Sequence, residues 1–398
     1  MPDRHSSRLR WIAGLVLALA CAQAAAGEPP SDWFKRLQEN RPWAALHALR
    51  QLPGHEQLTA QVGVFVGDEA PSCALFGRGV FPGDAEYRDA LDVIAAHAAD
   101  RQVVMLNETH FHAIHRAFLQ QVIERLHALG FDALAAETLN RNAPARLETG
   151  VVDVDTGFYT RDPVFAAALR RAQALGWTFV HYEAMGDGDR AARESGQASN
   201  LAAWIARNPE RRLLVYAGGS HISKVADEGW MAARFIAETG IEPLTIQQAV
   251  TACPDSAATW PVDSASAQVA FRDGAPLRGT GAADLMVLHP PGAVHGAKSV
   301  LGTRTAICAP PMPVDTLLRA FDAADAPTAI ARDQAVTTAG EGSAVLWLAP
   351  GRYRIEREHV DGRQGLGHVV VSASAPDTCL SPESGRRSAR DIRLPPAG

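Results

Sequence analysis

Apolar and polar residues follow two recurring patterns between about residues 100 and 240. A short continuous apolar run, Val103 to Leu106, predicts a buried strand. The stretch from about 112 to 129 places apolar residues three or four positions apart, which predicts a helix, and Gly130 ends it. Strands that alternate with such helices are typical of parallel sheets. The sequence therefore predicts an α/β fold with a mainly parallel sheet flanked by helices.

The same unit recurs along the chain. Further strands are predicted over residues 131–136, 177–182 and 213–217. Helices are predicted over residues 27–60 and 86–98, and through the apolar positions Phe165, Leu169, Ala172, Leu201, Trp204, Ile205, Trp230, Met231 and Phe235.

The chain changes character after residue 250, where proline, glycine and alanine become frequent and helical periodicity fades. Short strands are predicted over 344–348, 352–356 and 368–371, with glycine-containing turns between them. We therefore predict a small β-rich C-terminal region over 311–398, which follows an α/β domain over 27–310 with a motif core over 100–250. The alternative is that this region packs as part of the main domain.

The first residues have the pattern of a secretory signal peptide. Basic residues precede an apolar run and then small residues, which predicts a signal peptide over 1–26 with cleavage near Ala26. The alternative is a lipoprotein acylated on Cys21, which we favour less because Ala18 stands where leucine is usual. We expect an exported protein, either periplasmic or secreted.

Composition narrows the class of protein. The 398 residues are 47% hydrophobic and 21% charged, as in globular proteins. A net charge of -6 argues against a nucleic acid partner, and no later apolar run predicts a transmembrane segment in the mature chain. Composition and net charge do not predict the oligomeric state. The cysteines beyond the signal peptide permit two disulfides in any of three pairings. They are Cys73, Cys253, Cys308 and Cys379.

An acidic or imidazole side chain follows each of four predicted strands. These rim residues are Glu108, His110, Glu137, Glu183 and His221. Parallel α/β sheets bind ligands at the carboxyl ends of their strands, so we expect the rim residues to converge on one edge. Three carboxylates and two imidazoles held together are unfavourable unless a metal or shared protons offset them. The sequence therefore predicts a functional site there.

The rim residues also have structural interpretations. Glu108 suits the first turn of the helix that follows it, where the helix dipole favours an anion. Glu137 and Glu183 suit ion pairs with an arginine, and the candidates are Arg141 and Arg193. Phosphate-binding loops, dinucleotide fingerprints, nucleophile elbows and H-E-x-x-H zinc motifs are absent from the sequence.

Three motifs occur in order within residues 100–250. They are V-M-L-N-E-T-H over 104–110, A-E over 136–137 and V-Y-A-G-G-S-H-I over 215–222. This series resembles the superfamily that unites ChaN-like haem-binding lipoproteins, Tiki/TraB proteins and erythromycin esterase-like proteins. The Tiki-like branch implies a metal-dependent hydrolase with His110, Glu137 and His221 at the site. The esterase-like branch implies that Glu108 and His110 position or activate water to open an ester.

The ChaN-like branch of the same resemblance implies haem binding in an iron-uptake system. His110, His112, His115 or Tyr216 would then be the iron ligands. Asn107 stands where the superfamily prefers glycine, and asparagine tolerates the left-handed conformation better than most residues.

We favour an exported hydrolase that acts on a small-molecule or peptide substrate, because the rim is richer in carboxylates than haem ligation requires. Glu108 and His110 would bind or deprotonate water. Glu137 and Glu183 would ligate a divalent metal or act as acid and base, and His221 would complete the site. Arg193 would stabilise developing negative charge. The alternatives are a haem- or iron-binding protein without turnover and a degenerate member that only binds a partner.

Overall fold

The computed structural model describes residues 32–76, 81–184, 189–249, 260, 262–290, 296–373 and 379–383. The predicted signal peptide with Cys21 lies outside the described residues, as does Cys253.

A nine-stranded, mainly parallel sheet forms the centre of the described part of the chain. Its strands are β1 (Glu86–Asp89), β2 (Val103–Glu108), β3 (Ala133–Ala136), β4 (Thr178–Val180), β5 (Leu213–Gly218), β6 (Leu244–Ala249), β7 (Gln268–Arg272), β8 (Ala275–Pro276) and β9 (Leu285–Leu288). The strand order is β1-β7-β9-β6-β2-β5-β3-β4, and β8 pairs with β7. The parallel strands are β9, β6, β2, β5, β3 and β4. The pairings made by β1, β7 and β8 are antiparallel.

Helices cover both faces of the sheet. They are α1 (Asp32–Gln38), α2 (Pro42–Arg50), α3 (Glu56–Phe65), α4 (Ala70–Phe76), α5 (Ala90–Ala98), α6 (Ala113–His127), α7 (Ala143–Glu148), α8 (Pro163–Ala174), α9 (Arg190–Arg207) and α10 (Met231–Thr239). None of these described helices has the length and hydrophobicity that crossing a bilayer requires. Alternation along β2 sends Val104 and Leu106 into the core with α6 and α8, and Val103 and Met105 into the core with α9 and α10.

The C-terminal region is β-rich and antiparallel. Its strands are β10 (Thr303–Cys308), β11 (Thr316–Asp322), β12 (Asp333–Thr337), β13 (Ser343–Leu348), β14 (Gly351–His359) and β15 (Gly362–Val371). Strand β10 pairs with β13, and the other four have the order β12-β11-β14-β15. Arg319 donates to the carbonyl of Asn40 at 2.6 Å, and Glu358 accepts from the amide of Ala44 at 3.0 Å. The region thus packs against α1 and α2.

A disulfide joins Cys308 to Cys379, with Cα atoms 5.2 Å apart. This pair occurs in one of the three pairings that four cysteines permit. It fastens the described segment 379–383 to β10. Disulfides persist in oxidising compartments, so the bond is consistent with export.

Several predicted elements need correction. The helix predicted over 86–98 begins only at Ala90, because residues 86–89 pair with β7. The strand predicted over 177–182 is limited to 178–180. Strands β6, β7 and β9 were not predicted from the sequence. They have four to six residues each, and β7 and β9 lie after residue 250, where no helical periodicity marks the alternating strand and helix units.

Candidate functional site

The rim residues meet where β2, β5 and β3 end. These strands are neighbours in the sheet, so residues that follow them share one edge. His110 Nε2 lies 3.7 Å from Glu137 Oε2, and His221 Nε2 lies 3.4 Å from Glu137 Oε1. Glu183 reaches the group through Arg193, although β4 ends three residues before it. All five rim residues are buried, so each ionised group needs a partner.

Glu108 and His110 form the first pair of the site. His110 Nδ1 lies 2.5 Å from Glu108 Oε1. The backbone of His110 is left-handed, with φ at 64°, which turns the chain directly after β2. The imidazole stacks on the ring of Tyr159, with centroids 4.0 Å apart and planes 8° apart. The ring is therefore held at its edge and on its face.

Glu108 also binds buried groups beneath the site. Strand alternation points it toward α6, where Arg116 Nε donates to Glu108 Oε2 at 2.8 Å. The hydroxyl of Tyr216 donates to the same oxygen at 2.8 Å. Burial alone would raise the pKa of Glu108, but Arg116 and His110 hold it well below its usual range. Glu108 is therefore ionised, and it does not cap α6 as the structural interpretation proposed.

Glu137 lies at the centre of the group. Its Oε1 accepts from Arg193 Nη2 at 2.9 Å, and its Oε2 accepts from the backbone amide of Gly218. Burial opposes charge on Glu137, yet His221, His110 and Arg193 hold its pKa well below the usual range. A Cβ on Gly218 would collide with His110 Nε2 and lie 2.8 Å from Glu137 Oε2, so the close approach needs glycine there.

Glu183 differs from Glu137 although the two share Arg193. Arg193 Nη2 lies 3.3 Å from both oxygens of Glu183, and Gln197 donates to Oε2 at 3.0 Å. Burial raises the pKa of Glu183 to about 7, with a further contribution from the charge of Glu137. Near neutral pH, Glu137 is thus ionised while Glu183 exchanges a proton.

His221 is the cationic histidine of the site. Its Nδ1 lies 2.8 Å from Glu194 Oε2, which also accepts from the amide of Met231. Burial opposes the charge, but Glu137 and Glu194 raise the pKa of His221 to about 10. Trp230 packs its ring edge to face against the imidazole, with centroids 5.6 Å apart. His221 and Arg193 together balance the carboxylates.

A second group of histidines lies beside the site, and we call His112, His115 and His289 the packed histidines. The ring centroids are 5.9 Å apart for His112 and His115, and 5.2 Å apart for His115 and His289. The Thr109 amide donates to His115 Nδ1 at 3.2 Å, so this nitrogen needs its lone pair. Burial lowers the pKa of His115 well below its usual value and that of His289 to about 3. His115 and His289 are therefore neutral.

The candidate haem ligands that the resemblance implied differ in whether they have a lone pair available to iron. The Tyr216 hydroxyl is buried and donates to Glu108. His115 carries its hydrogen on Nε2, since Nδ1 accepts a hydrogen bond, so it has no lone pair there for iron. His112 Nδ1 lies 3.1 Å from Glu69 Oε2, and its buried Nε2 has no hydrogen-bond partner among the described residues. His110 Nε2 faces Glu137 Oε2 at 3.7 Å. Among His112, His115 and Tyr216, His112 alone keeps an unpartnered nitrogen with a lone pair for iron.

The metal set that the resemblance implied does not suit this arrangement. Both nitrogens of His221 face carboxylates, those of Glu137 and Glu194. The guanidinium of Arg193 lies between Glu137 and Glu183, where a cation would sit. Across the part of the chain that the structure describes, no three His, Cys, Asp or Glu side chains are arranged to hold a metal ion.

Asn107 joins neighbouring strands rather than forming a turn. It lies within β2, and the left-handed residue of this segment is His110. Its Oδ1 accepts from the amide of Gln248 at 2.7 Å, and its Nδ2 donates to the carbonyl of Gly219 at 3.0 Å. Asn107 therefore connects β2 with β6 and with the segment after β5.

Sequence reasoning missed several residues of the site. They are Arg116, Tyr159, Asp162, Glu194 and Gln197. One signal was available for Arg116, because a charged residue on the apolar face of a predicted helix needs a buried partner. The partners of the others lie far away in sequence, so only the fold reveals them. His181, which directly follows β4, bonds through Nδ1 to the carbonyl of Leu139.

The fold and the site thus define a mixed α/β protein with a polar centre at the carboxyl ends of its parallel strands. No protein-family model matches the chain. No curated protein matches it significantly.

Some solved structures are similar to the chain, at low identity. The type III effector HopBA1 is 13% identical, with a TM-score of 0.36 over 52% of this chain and 99% of that chain. RRSP, a MARTX toxin effector domain from Vibrio vulnificus CMCP6, is 16% identical, with a TM-score of 0.23 over 33% and 30%. ChaN of Campylobacter jejuni, solved with cofacial haem, is 10% identical, with a TM-score of 0.29 over 53% and 100%. Bacterial effectors and a haem-binding protein are thus among the distant structural neighbours.

Proposed function

We propose that this protein is a hydrolase that activates water with His110 and acts on a carboxylic ester or amide. The observation that carries the proposal is the Glu108–His110 pair, 2.5 Å apart, with His110 Nε2 turned toward Glu137. A carboxylate on one imidazole nitrogen orients the ring and leaves the other nitrogen as a base.

The other rim residues supply charge and protons in this proposal. His110 Nε2 takes a proton from water as the water oxygen attacks the carbonyl carbon. Arg193 and protonated His221 stabilise the oxyanion that forms, while Glu137 holds both cations in place. Glu183, whose pKa is about 7, then protonates the leaving alcohol or amine as its bond to carbon breaks.

Turnover of p-nitrophenyl esters and peptide anilides by the purified chain tests the proposal. Glu137→Gln and His110→Gln should each lower kcat by about 100-fold or more, because general-base and electrostatic catalysis contribute at least that much. His97→Gln, an exposed substitution on α5, is the matched control and should keep full activity. Full activity in either site variant, or no wild-type turnover of any ester or anilide, would remove the proposal.

Haem binding is the second candidate function, and it rests on the buried, unpartnered Nε2 of His112. Titration of the chain with hemin should then shift the Soret band, and His112→Ala should abolish the shift while His97→Ala does not. A spectrum equal to free hemin excludes this candidate.

We also propose that the protein is exported to the periplasm or beyond. The signal-peptide pattern over 1–26 and the Cys308–Cys379 disulfide support this location. Fractionation of cells that express the full chain, with mass determination of the N-terminus, tests both export and cleavage near Ala26.

A further inference from the structure

Arg116 lies beneath the site in full burial, and its guanidinium reaches three different groups. Nε and Nη2 donate to the two oxygens of Glu108 at 2.8 and 3.3 Å. Nη2 also donates to the backbone carbonyl of His110 at 3.4 Å, and Nη1 donates to Asp162 Oδ2 at 2.9 Å. Asp162 is in turn fixed as the N-cap of α8, where it accepts from the amide of Val164. Arg116 is therefore anchored to α8 through Asp162, and on its other side it binds Glu108 and the carbonyl of His110.

The hydrogen bonds of Glu108 decide which nitrogen of His110 carries its hydrogen. Arg116 and Tyr216 bring donors to Glu108, and neither can accept a hydrogen bond from it in these contacts. An ionised carboxylate is an acceptor only, so the contact with His110 Nδ1 requires the hydrogen to be on Nδ1. His110 Nε2 then keeps its lone pair when the ring is neutral.

We propose that Arg116, anchored by Asp162, is a positioning residue that keeps the His110 hydrogen on Nδ1 and turns Nε2 toward Glu137. The consequence for catalysis rests on the proposed hydrolase function. The positioning itself does not, because the ring tautomer is measurable without a substrate.

Three substitutions separate this role from general stability. Arg116→Met removes the guanidinium, Arg116→Lys keeps the cation without the two-pronged donor, and Asp162→Asn keeps the α8 cap while removing the anchoring charge. Glu358→Gln is the matched control, because Glu358 is also buried, accepts one backbone amide and pairs with an arginine, Arg319.

The first measurement is the ring-nitrogen chemical shifts of His110 by NMR at neutral pH. The wild type should show hydrogen on Nδ1, and Arg116→Met should show loss of that single tautomer. Asp162→Asn should show a partial loss, and Glu358→Gln none. If Arg116→Met does not fold, Asp162→Asn and Arg116→Lys decide.

The second measurement is ester turnover. Arg116→Met should lower kcat by about 100-fold with KM changed by less than about threefold, and Arg116→Lys should recover part of the loss. An unchanged tautomer in the arginine and Asp162 variants, or an equal change in Glu358→Gln, overturns the inference. Absence of wild-type turnover overturns the hydrolase proposal alone and leaves the NMR result to decide the positioning role.

Discussion

His221 of the site and His289 of the packed histidines are both buried but differ in charge. Glu137 and Glu194 raise the pKa of His221 to about 10. Burial lowers the pKa of His289 to about 3, and its described contacts are Gln248 and aromatic rings. The two groups lie on either side of the end of β2. Burial opposes a positive charge on both rings, and at His221 the carboxylates of Glu137 and Glu194 outweigh that effect.

This difference assigns the two groups different work. A cationic or carboxylate-bound imidazole can stabilise charge or move a proton, whereas a neutral packed imidazole contributes mainly contacts. The packed group is still coupled to the site, because Thr109, which bonds His115, precedes His110 directly. Substitutions can disrupt the contacts of the site histidines, His110 and His221, or of the packed histidines separately, which tests whether the two groups have different roles.

The largest effect is expected from Gly218→Ala, which breaks the site group. The added methyl would collide with His110 Nε2 and press on Glu137, so kcat should fall by about 100-fold or more, equivalent to about 3 kcal/mol. Ester turnover measures this loss. The control is Gly365→Ala, since open space surrounds a Cβ there, and its activity should be unchanged. A Gly218→Ala protein with wild-type kcat would show that the close approach is dispensable.

A smaller effect is expected from acid, which breaks the packed group. The pKa of folded His289 lies near 3, below the unfolded value of about 6.5, so the unfolded chain binds more protons between these limits. The free energy of unfolding should therefore fall as pH drops below about 6.5, by about 2 kcal/mol at about pH 5 from this residue.

Urea unfolding at about pH 7 and about pH 5 measures this dependence. His289→Gln should lose about 2 kcal/mol less than the wild type over that interval. His97→Gln, on the surface, should behave as the wild type does. Equal pH dependence in wild type and His289→Gln contradicts the assignment of a neutral buried His289.

Glu194→Gln should make one of the site histidines, His221, resemble a packed histidine. The amide can still accept from Met231, but the charge against His221 Nδ1 is lost, so the pKa of His221 should fall by about one unit or more. NMR titration of the His221 ring measures the shift. We expect kcat to fall by about tenfold, or about 1.4 kcal/mol. An unmoved His221 pKa would exclude Glu194 as a cause of the charge.

The contribution of His221 to the free energy of unfolding depends on pH in the opposite direction to that of His289. The folded pKa of His221 is raised, so its contribution to stability is complete below about pH 6.5 and disappears as pH rises through about 10. Glu194→Gln should weaken that alkaline dependence, whereas Glu358→Gln should not.

The smallest effect on turnover is expected at the boundary of the two groups. Asn107→Ala leaves the amide of Gln248 and the carbonyl of Gly219 without their side-chain partner, so the free energy of unfolding should fall by about 2 kcal/mol. Urea unfolding measures this. A loss of turnover beyond about tenfold would show instead that Asn107 acts on the site.

The α/β class and the residues that follow the strand ends could be predicted without knowledge of the fold. Its periodicity located β2, β3, β5, α6 and α8, because each buries a regular apolar face. Since parallel strands end at one edge, the positions of Glu108, His110, Glu137 and His221 followed from the alternation alone.

The charges that these residues carry depend on contacts that form when the chain folds. Strand order placed β5 between β2 and β3, and α6, α8 and α9 brought Arg116, Asp162, Arg193 and Glu194 to the site from distant positions in the chain. The pKa of a buried group depends on the few charges within hydrogen-bond distance, and such contacts leave no periodic signal in a sequence. Neither His221 as a cation nor His289 as a neutral ring could be predicted before the fold was known.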